Sequence, residues 1–313
     1  MTSLTRLYGL AIRSAVPLHQ HRPVPDDVEV DLDIELGEPI TASAEVPDGR
    51  VLLHLRTHEQ LYVAVADADG YLLRFFDTCD IRLDRALTRA TIAPVEGTDP
   101  TIVSVLAGGT LLAFVLAMRG EPVLHGSAVQ LGEQALAFVG ASGMGKSTMA
   151  TLQAADGAGL ITDDLLRLDL SRTPPGCALG ATELRLRKAA GELAGRFELS
   201  PGRRTTGDDR EALAPLGATT EGLPLAAIVV PFPDKSPDKR EPEVQRLDQM
   251  AAFLMLSQFP RLLGWQDPEV LQRQFQQLGE VVERVPVYAA GLPWGPPFPD
   301  RLAAQLRAAI GLA

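Results

Sequence analysis

Residues 28–36, Val-Glu-Val-Asp-Leu-Asp-Ile-Glu-Leu, alternate apolar and acidic positions with a period of two. Successive side chains of a strand point to opposite faces, so this pattern predicts a strand with one buried and one wet face. Residues 51–55, 61–66 and 71–76 continue the pattern, and Asp-Gly dipeptides at 48–49 and 69–70 mark turns. The first hundred residues therefore predict a small, mostly antiparallel β domain. Residues 101–118 carry no charge, which is the lower edge of a membrane-crossing length. Ser104, Gly108, Gly109 and Thr110 interrupt that run, so a helix buried between two layers is expected.

From Val123 onward, short apolar runs alternate with helical stretches. Strands are expected at 135–139, 160–162 and 225–231, and helices at 147–156, 247–259 and 268–282. Residues 197–224, which include Pro201-Gly202-Arg203-Arg204, lack periodicity and read as a polar loop, a candidate lid. Two domains are expected, residues 1–100 and residues 101–313, in an α/β chain without internal repeats.

Composition narrows the function classes. With 46% hydrophobic and 22% charged residues the chain has the balance of an ordinary globular protein. A net charge of −11 argues against a nucleic-acid partner, which needs a basic face. Cys79 and Cys177 are too few for a disulfide scaffold or a zinc cluster, and the N-terminal residues lack the apolar segment of a secretory signal, so a reduced cytoplasm without membrane attachment is expected. His19, His21, His54 and His58 show no metal-like pairing. Self-association is left open.

One stretch carries chemistry directly. Gly140, Gly145, Lys146 and Ser147 complete a G-x-x-x-x-G-K-[ST] pattern between the strand at 135–139 and the helix at 147–156. Glycines let backbone N–H groups close on phosphate oxygens, and the helix N-terminus adds positive potential. The loop Gly140-Ala141-Ser142-Gly143-Met144-Gly145-Lys146-Ser147-Thr148 is thus a candidate site for ATP, with Lys146 on the β/γ oxygens and Ser147 on Mg2+. Asp163 and Asp164 follow the apolar Leu160-Ile161-Thr162, which puts a pair of carboxylates at a strand end near the loop. One could hold Mg2+ while the other faces an acceptor hydroxyl; spacing does not say which. His125, in Val-Leu-His-Gly-Ser-Ala-Val, lies 21 residues before Lys146 and is a candidate helper in proton handling. Arg185, Arg187 and Lys188 form a basic cluster on an alternating segment, and Arg203 and Arg204 could meet phosphoryl charge.

Leu124-His125-Gly126, the glycine loop and Asp163-Asp164 together resemble, in order and spacing, the catalytic domain of HPr serine kinases. That resemblance covers about residues 120–170 and implies a fold similar to phosphoenolpyruvate carboxykinase, preceded here by the small β domain. It also implies transfer of the γ-phosphoryl of ATP to a serine, with His125, Lys146, Asp163 and Asp164 as catalytic residues and Ser147, Asp163 and Asp164 toward Mg2+. Ala141 and Thr148 stand where HPr kinases commonly have acidic residues. The remainder, including Tyr8-Gly9-Leu10, Gly202-Arg203-Arg204 and Val285-Pro286-Val287-Tyr288, looks more like the HPr-kinase-like proteins encoded beside lasso-peptide biosynthesis enzymes. Some of those phosphorylate the terminal serine of a precursor peptide, so a peptide substrate is the implied partner. A kinase of small hydroxyl metabolites and a non-catalytic nucleotide-binding adaptor are the other readings of the same loop.

Overall fold

The computed structural model describes residues 2–25, 27–187, 190–198, 202–236 and 238–312; Lys188 and Pro201, named above, lie outside them. The chain forms two compact units. The first comprises residues 1–121, 206–208 and 262–274, and the second comprises residues 122–205, 209–261 and 275–313. The division therefore falls at residue 121 rather than at 100, because the apolar helix that follows the β domain packs with it. Two short later segments also join the first unit, a long-range return that no local pattern announces.

The first unit is an eight-stranded sheet of β1 (Ser3–Leu7), β2 (Leu10–Ser14), β3 (Leu32–Leu36), β4 (Arg50–Arg56), β5 (Gln60–Ala66), β6 (Gly70–Phe75), β7 (Cys79–Asp84) and β8 (Arg89–Pro94). Their order is β1-β2-β3-β8-β7-β6-β5-β4, antiparallel except where β3 pairs with β2 and β8. The strand predicted from residue 28 begins only at Leu32. Alternation supplies the core: Ile12, Leu32, Ile34, Ile81, Leu83 and Ile92 are fully buried, while their sequence neighbours Arg13, Glu35 and Arg82 are exposed.

Helices α1 (Pro100–Leu106) and α2 (Leu112–Met118) flank a π-helical turn, Ala107–Leu111, which contains the Gly108-Gly109 pair. The whole Pro100–Met118 run is long and apolar enough to cross a membrane. Leu111, Leu112, Phe114, Val115 and Leu116 are instead fully buried, and Phe114 stacks on Trp265 with ring centres 5.9 Å apart. Burial of each such side chain contributes on the order of 1.5–3 kcal/mol, so this helix is a core element, as its sequence predicted.

The second unit holds the strands β9 (Val123–Leu124), β10 (Gly126–Leu131), β11 (Gln134–Val139), β12 (Gly159–Thr162), β13 (Leu166–Asp169), β14 (Gly176–Cys177), β15 (Leu184–Leu186), β16 (Gly202–Thr205), β17 (Glu211–Ala214), β18 (Leu223–Asp234), β19 (Glu243–Arg246) and β20 (Val287–Pro293). Its helices are α3 (Lys146–Ala155), α4 (Ala190–Ala194), α5 (Gln249–Leu256), α6 (Pro268–Arg284), which starts in the first unit, and α7 (Leu302–Ala309). The main sheet is mixed: β18 lies parallel to β11 and β20, whereas β10 runs antiparallel to β11 and β12.

The alternation of β11 sorts the core into two layers. Leu136 and Phe138 pack with Met149, Ala150 and Leu152 of α3 and Leu302 and Leu306 of α7. Ala137 and Val139 face the opposite side, with Ile228, Val230, Leu256 of α5, and Leu278 and Val281 of α6. A small separate sheet, β15-β17-β16, occupies part of the segment read as a structureless lid. Residues 202–205 pair there with 211–214 as a hairpin; the polar turn between those strands concealed them.

Candidate active site

Strand β11 delivers the chain to Gly140, and α3 begins at Lys146. Between them the backbone reverses through Gly143 and Gly145, both at φ +88°, a conformation that suits glycine because it has no Cβ. Gly145 is the N-cap of α3 and has no side chain with which to cap it, so the first amides of the helix lack an internal acceptor. Those N–H groups and the helix dipole favour an anion at this end. Lys146 is buried, its Nζ donates to the Ala141 carbonyl at 3.0 Å, and burial pushes its pKa down to about 8. Trp294 closes one side of the loop, packed edge-on against Phe298 with ring centres 5.2 Å apart.

Asp163 lies just past β12, and β12 neighbours β10 rather than β11. The intervening strand bridges the gap: Ser127 of β10 donates its hydroxyl to Asp163 Oδ1 at 2.5 Å, and Ser147 of α3 donates to the same oxygen at 2.8 Å. The other oxygen, Oδ2, accepts the Arg185 backbone N–H at 2.9 Å. The carboxylate is thereby fixed against the first turn of α3, buried and fully hydrogen-bonded.

Asp164 is turned the other way by a left-handed backbone, φ +70°. Its Oδ2 accepts from Arg185 Nη2 at 3.0 Å and Arg261 Nη2 at 2.7 Å, and its carbonyl oxygen lies 2.9 Å from His125 Nδ1. Burial alone would raise the carboxyl pKa; the charges of Arg261 and Arg185 outweigh it and hold Asp164 well below the usual carboxylate range. Burial pushes His125 down to about 4, against the attraction of Asp164, so the ring is neutral at pH 7. A carbonyl can only accept, so Nδ1 carries the proton and Nε2 is the ring's acceptor.

These groups open into one cleft of about 450 Å³ within the second unit, lined by His125, Ser142, Gly143, Gly145, Lys146, Ser147, Thr148, Asp163 and Asp164 on the sequence-predicted side. Arg185, Arg187, Arg210, Lys235 and Trp294 also line it. Five cationic side chains face two carboxylates there, on a chain whose net charge is −11. Gly140, Ala141 and Met144 form the base of the loop, with the Ala141 N–H held by Met144 Sδ at 3.1 Å. Arg203 and Arg204 are not in this wall; Arg203 pairs with Glu211 and Arg204 with Glu183.

Among the described residues, no cluster of three or more His, Cys, Asp or Glu side chains could hold a metal by itself. The adjacent Ser147 hydroxyl and Asp163 carboxylate nevertheless fit Mg2+, which takes one or two protein oxygens and completes its octahedron with phosphates and water.

Sequence reasoning missed Ser127, Arg210, Lys235, Arg261 and Trp294. Only Ser127 left a signal, as a hydroxyl beside the apolar Ala128-Val129 two positions after His125.

No protein-family description matches this sequence, and no curated protein matches it. Among solved structures, the chain is similar to the HPr(Ser) kinase/phosphatase from Coxiella burnetii, at 11% sequence identity and a TM-score of 0.32. The match covers 60% of this chain and 95% of that one.

Proposed function

We propose that the second unit is a magnesium-dependent kinase that transfers the γ-phosphoryl group of ATP to a serine hydroxyl of a peptide. The observation that carries this reading is the pairing of Ser147 and Asp163 at the start of α3, beside Lys146 and in the same cleft as His125 and Asp164. A site that only bound nucleotide would need the first set and not the second.

The loop amides, the N-terminus of α3 and Lys146 hold the phosphate chain. Ser147 and Asp163 hold Mg2+, which, when bound, neutralises charge on the phosphoryl oxygens. Asp164, its basicity lowered by two arginines, orients rather than abstracts. His125 Nε2, unprotonated but weakly basic in its buried setting, takes the hydroxyl proton only as the transition state forms, while the serine oxygen bonds to the γ-phosphorus and ADP leaves. Arg185 ties the two aspartates together through its amide and its guanidinium, which sets the distance between the metal side and the acceptor side of the cleft.

The acceptor follows from the resemblance of the sequence to lasso-cluster kinases: a serine at or near the C-terminus of a lasso precursor peptide, where a flexible end enters the cleft without unfolding anything. Arg187 and Lys235, on the cleft wall, suit a terminal carboxylate. The acidic chain takes no nucleic-acid partner and works in the cytoplasm, detached from membranes.

Mass spectrometry of such a peptide after incubation with Mg·ATP should show a single phosphate on the native sequence and none when the terminal serine is alanine. Equal phosphate on both peptides would reject the terminal serine. ATP consumption only with small hydroxyl metabolites would replace the peptide kinase by a small-molecule kinase.

A further inference from the structure

Arg261 follows α5 in sequence and stands outside every motif read above, yet it contacts Asp164, which lines the cleft. Pro260 pairs with Leu124 in an isolated antiparallel bridge, which ties the segment before Arg261 to the strand before His125; from opposite directions along that bridge, the two side chains both reach Asp164. The guanidinium is only 13% exposed, and its Nη2 donates to Asp164 Oδ2 at 2.7 Å. Its Nε is buried with no hydrogen-bond partner among the described residues. A buried, half-satisfied guanidinium is a poor source of stability, because an apolar side chain of similar volume would avoid the desolvation cost. Asp164 is strained as well, since a left-handed non-glycine residue costs on the order of 1–3 kcal/mol and persists only where its surroundings enforce it. Two unfavourable features meeting at one carboxylate beside a cleft point to a role in geometry.

We propose that Arg261 is a positioning residue: it holds Asp164 in the left-handed conformation whose carbonyl fixes His125 as the Nδ1-protonated tautomer, leaving Nε2 as the acceptor. Arg185 makes the second contact to Asp164 Oδ2 but also carries the Asp163 contact, so Arg261 is the arm specific to the acceptor side. The inference rests on the kinase reading for its effect on turnover, though not for its effect on the imidazole.

The test compares wild type with Arg261→Gln and Arg261→Lys, folding being checked by circular dichroism. Nitrogen-15 NMR of the imidazole, recorded near neutral pH without any acceptor, should show the Nδ1-protonated form for His125 in wild type. A mixture of tautomers is expected in Arg261→Gln and partial recovery in Arg261→Lys. Turnover should fall about 10- to 100-fold in Arg261→Gln, the scale of a small misplacement of reacting groups, with Mg·ATP affinity within about 2-fold of wild type. Identical His125 spectra in wild type and in whichever variant folds would overturn the proposal. So would a loss of turnover matched by an equal loss of nucleotide affinity, which is what general disruption produces. If wild type phosphorylates no acceptor, the kinase reading fails while the NMR comparison still decides the role of Arg261.

Discussion

Asp163→Asn should lower phosphoryl transfer by at least ~100-fold, while the protein remains folded and still binds nucleotide. The substitution keeps the volume of the side chain, so neighbouring packing is undisturbed. It removes the charge that Mg2+ needs beside Ser147. It also breaks a precise arrangement of donors, because Oδ1 now accepts from both Ser127 and Ser147 and Oδ2 accepts from the Arg185 amide. An amide has one oxygen, so its NH2 group must face at least one of these donors, and a buried unpaired donor costs about 1–3 kcal/mol. The check is a steady-state assay over a range of Mg2+ concentrations. Excess metal should recover little, and a variant as active as wild type would reduce Asp163 to a turn residue.

Gly145→Ala should cost both stability and nucleotide binding. A Cβ at this position would lie 2.2 Å from Trp294 Cη2, and the backbone φ is +88°. The left-handed conformation alone costs an alanine on the order of 1–2 kcal/mol. The indole cannot yield freely either, because it is packed against Phe298. Either Trp294 swings out of the cleft wall or the loop opens at the first turn of α3, and both spoil the phosphate cradle. An affinity loss of at least ~10-fold is expected, equivalent to about 1.4 kcal/mol. Tryptophan emission should report the displaced indole, since Trp265, the other tryptophan, is stacked on Phe114 in the first unit. Unchanged emission together with unchanged affinity would show that the loop tolerates a side chain there.

What could be read from the sequence was what lies close together along the chain. The strand, glycine loop and helix at 135–156 were legible because backbone geometry sets their spacing directly. The buried character of residues 101–118 was legible from interrupted apolarity. Asp163 and Asp164 were placed near the loop, but the division between them was not readable. It depends on the left-handed turn at Asp164 and on which strand separates β12 from β11. Ser127 matters because β10 lies between those two strands, a fact of sheet order. Arg210, Lys235, Arg261 and Trp294 come from segments far along the chain and obey no fixed spacing to the loop. Arg203 and Arg204 misled for the converse reason: a basic pair next to glycine suggests phosphate, but Glu211 and Glu183 already satisfy both charges. The strand at 28–36 was predicted too long because alternation persists through residues 28–31, where only Asp31 bonds to β2, through Ala11, and no continuous ladder forms.

The loop at 140–148 should bind the phosphates of Mg·ATP through Lys146. Isothermal titration of Mg·ATP into wild type and into Lys146→Ala tests it without knowledge of the acceptor. Lys146 is buried with a single backbone partner in the loop, so its removal should leave the fold standing while taking away the charge that meets the β/γ oxygens. Saturable binding by wild type and at least ~10-fold weaker binding by Lys146→Ala, a loss of about 1.4 kcal/mol, is the predicted result. Equal affinity in the two proteins, or no binding by wild type, would contradict it.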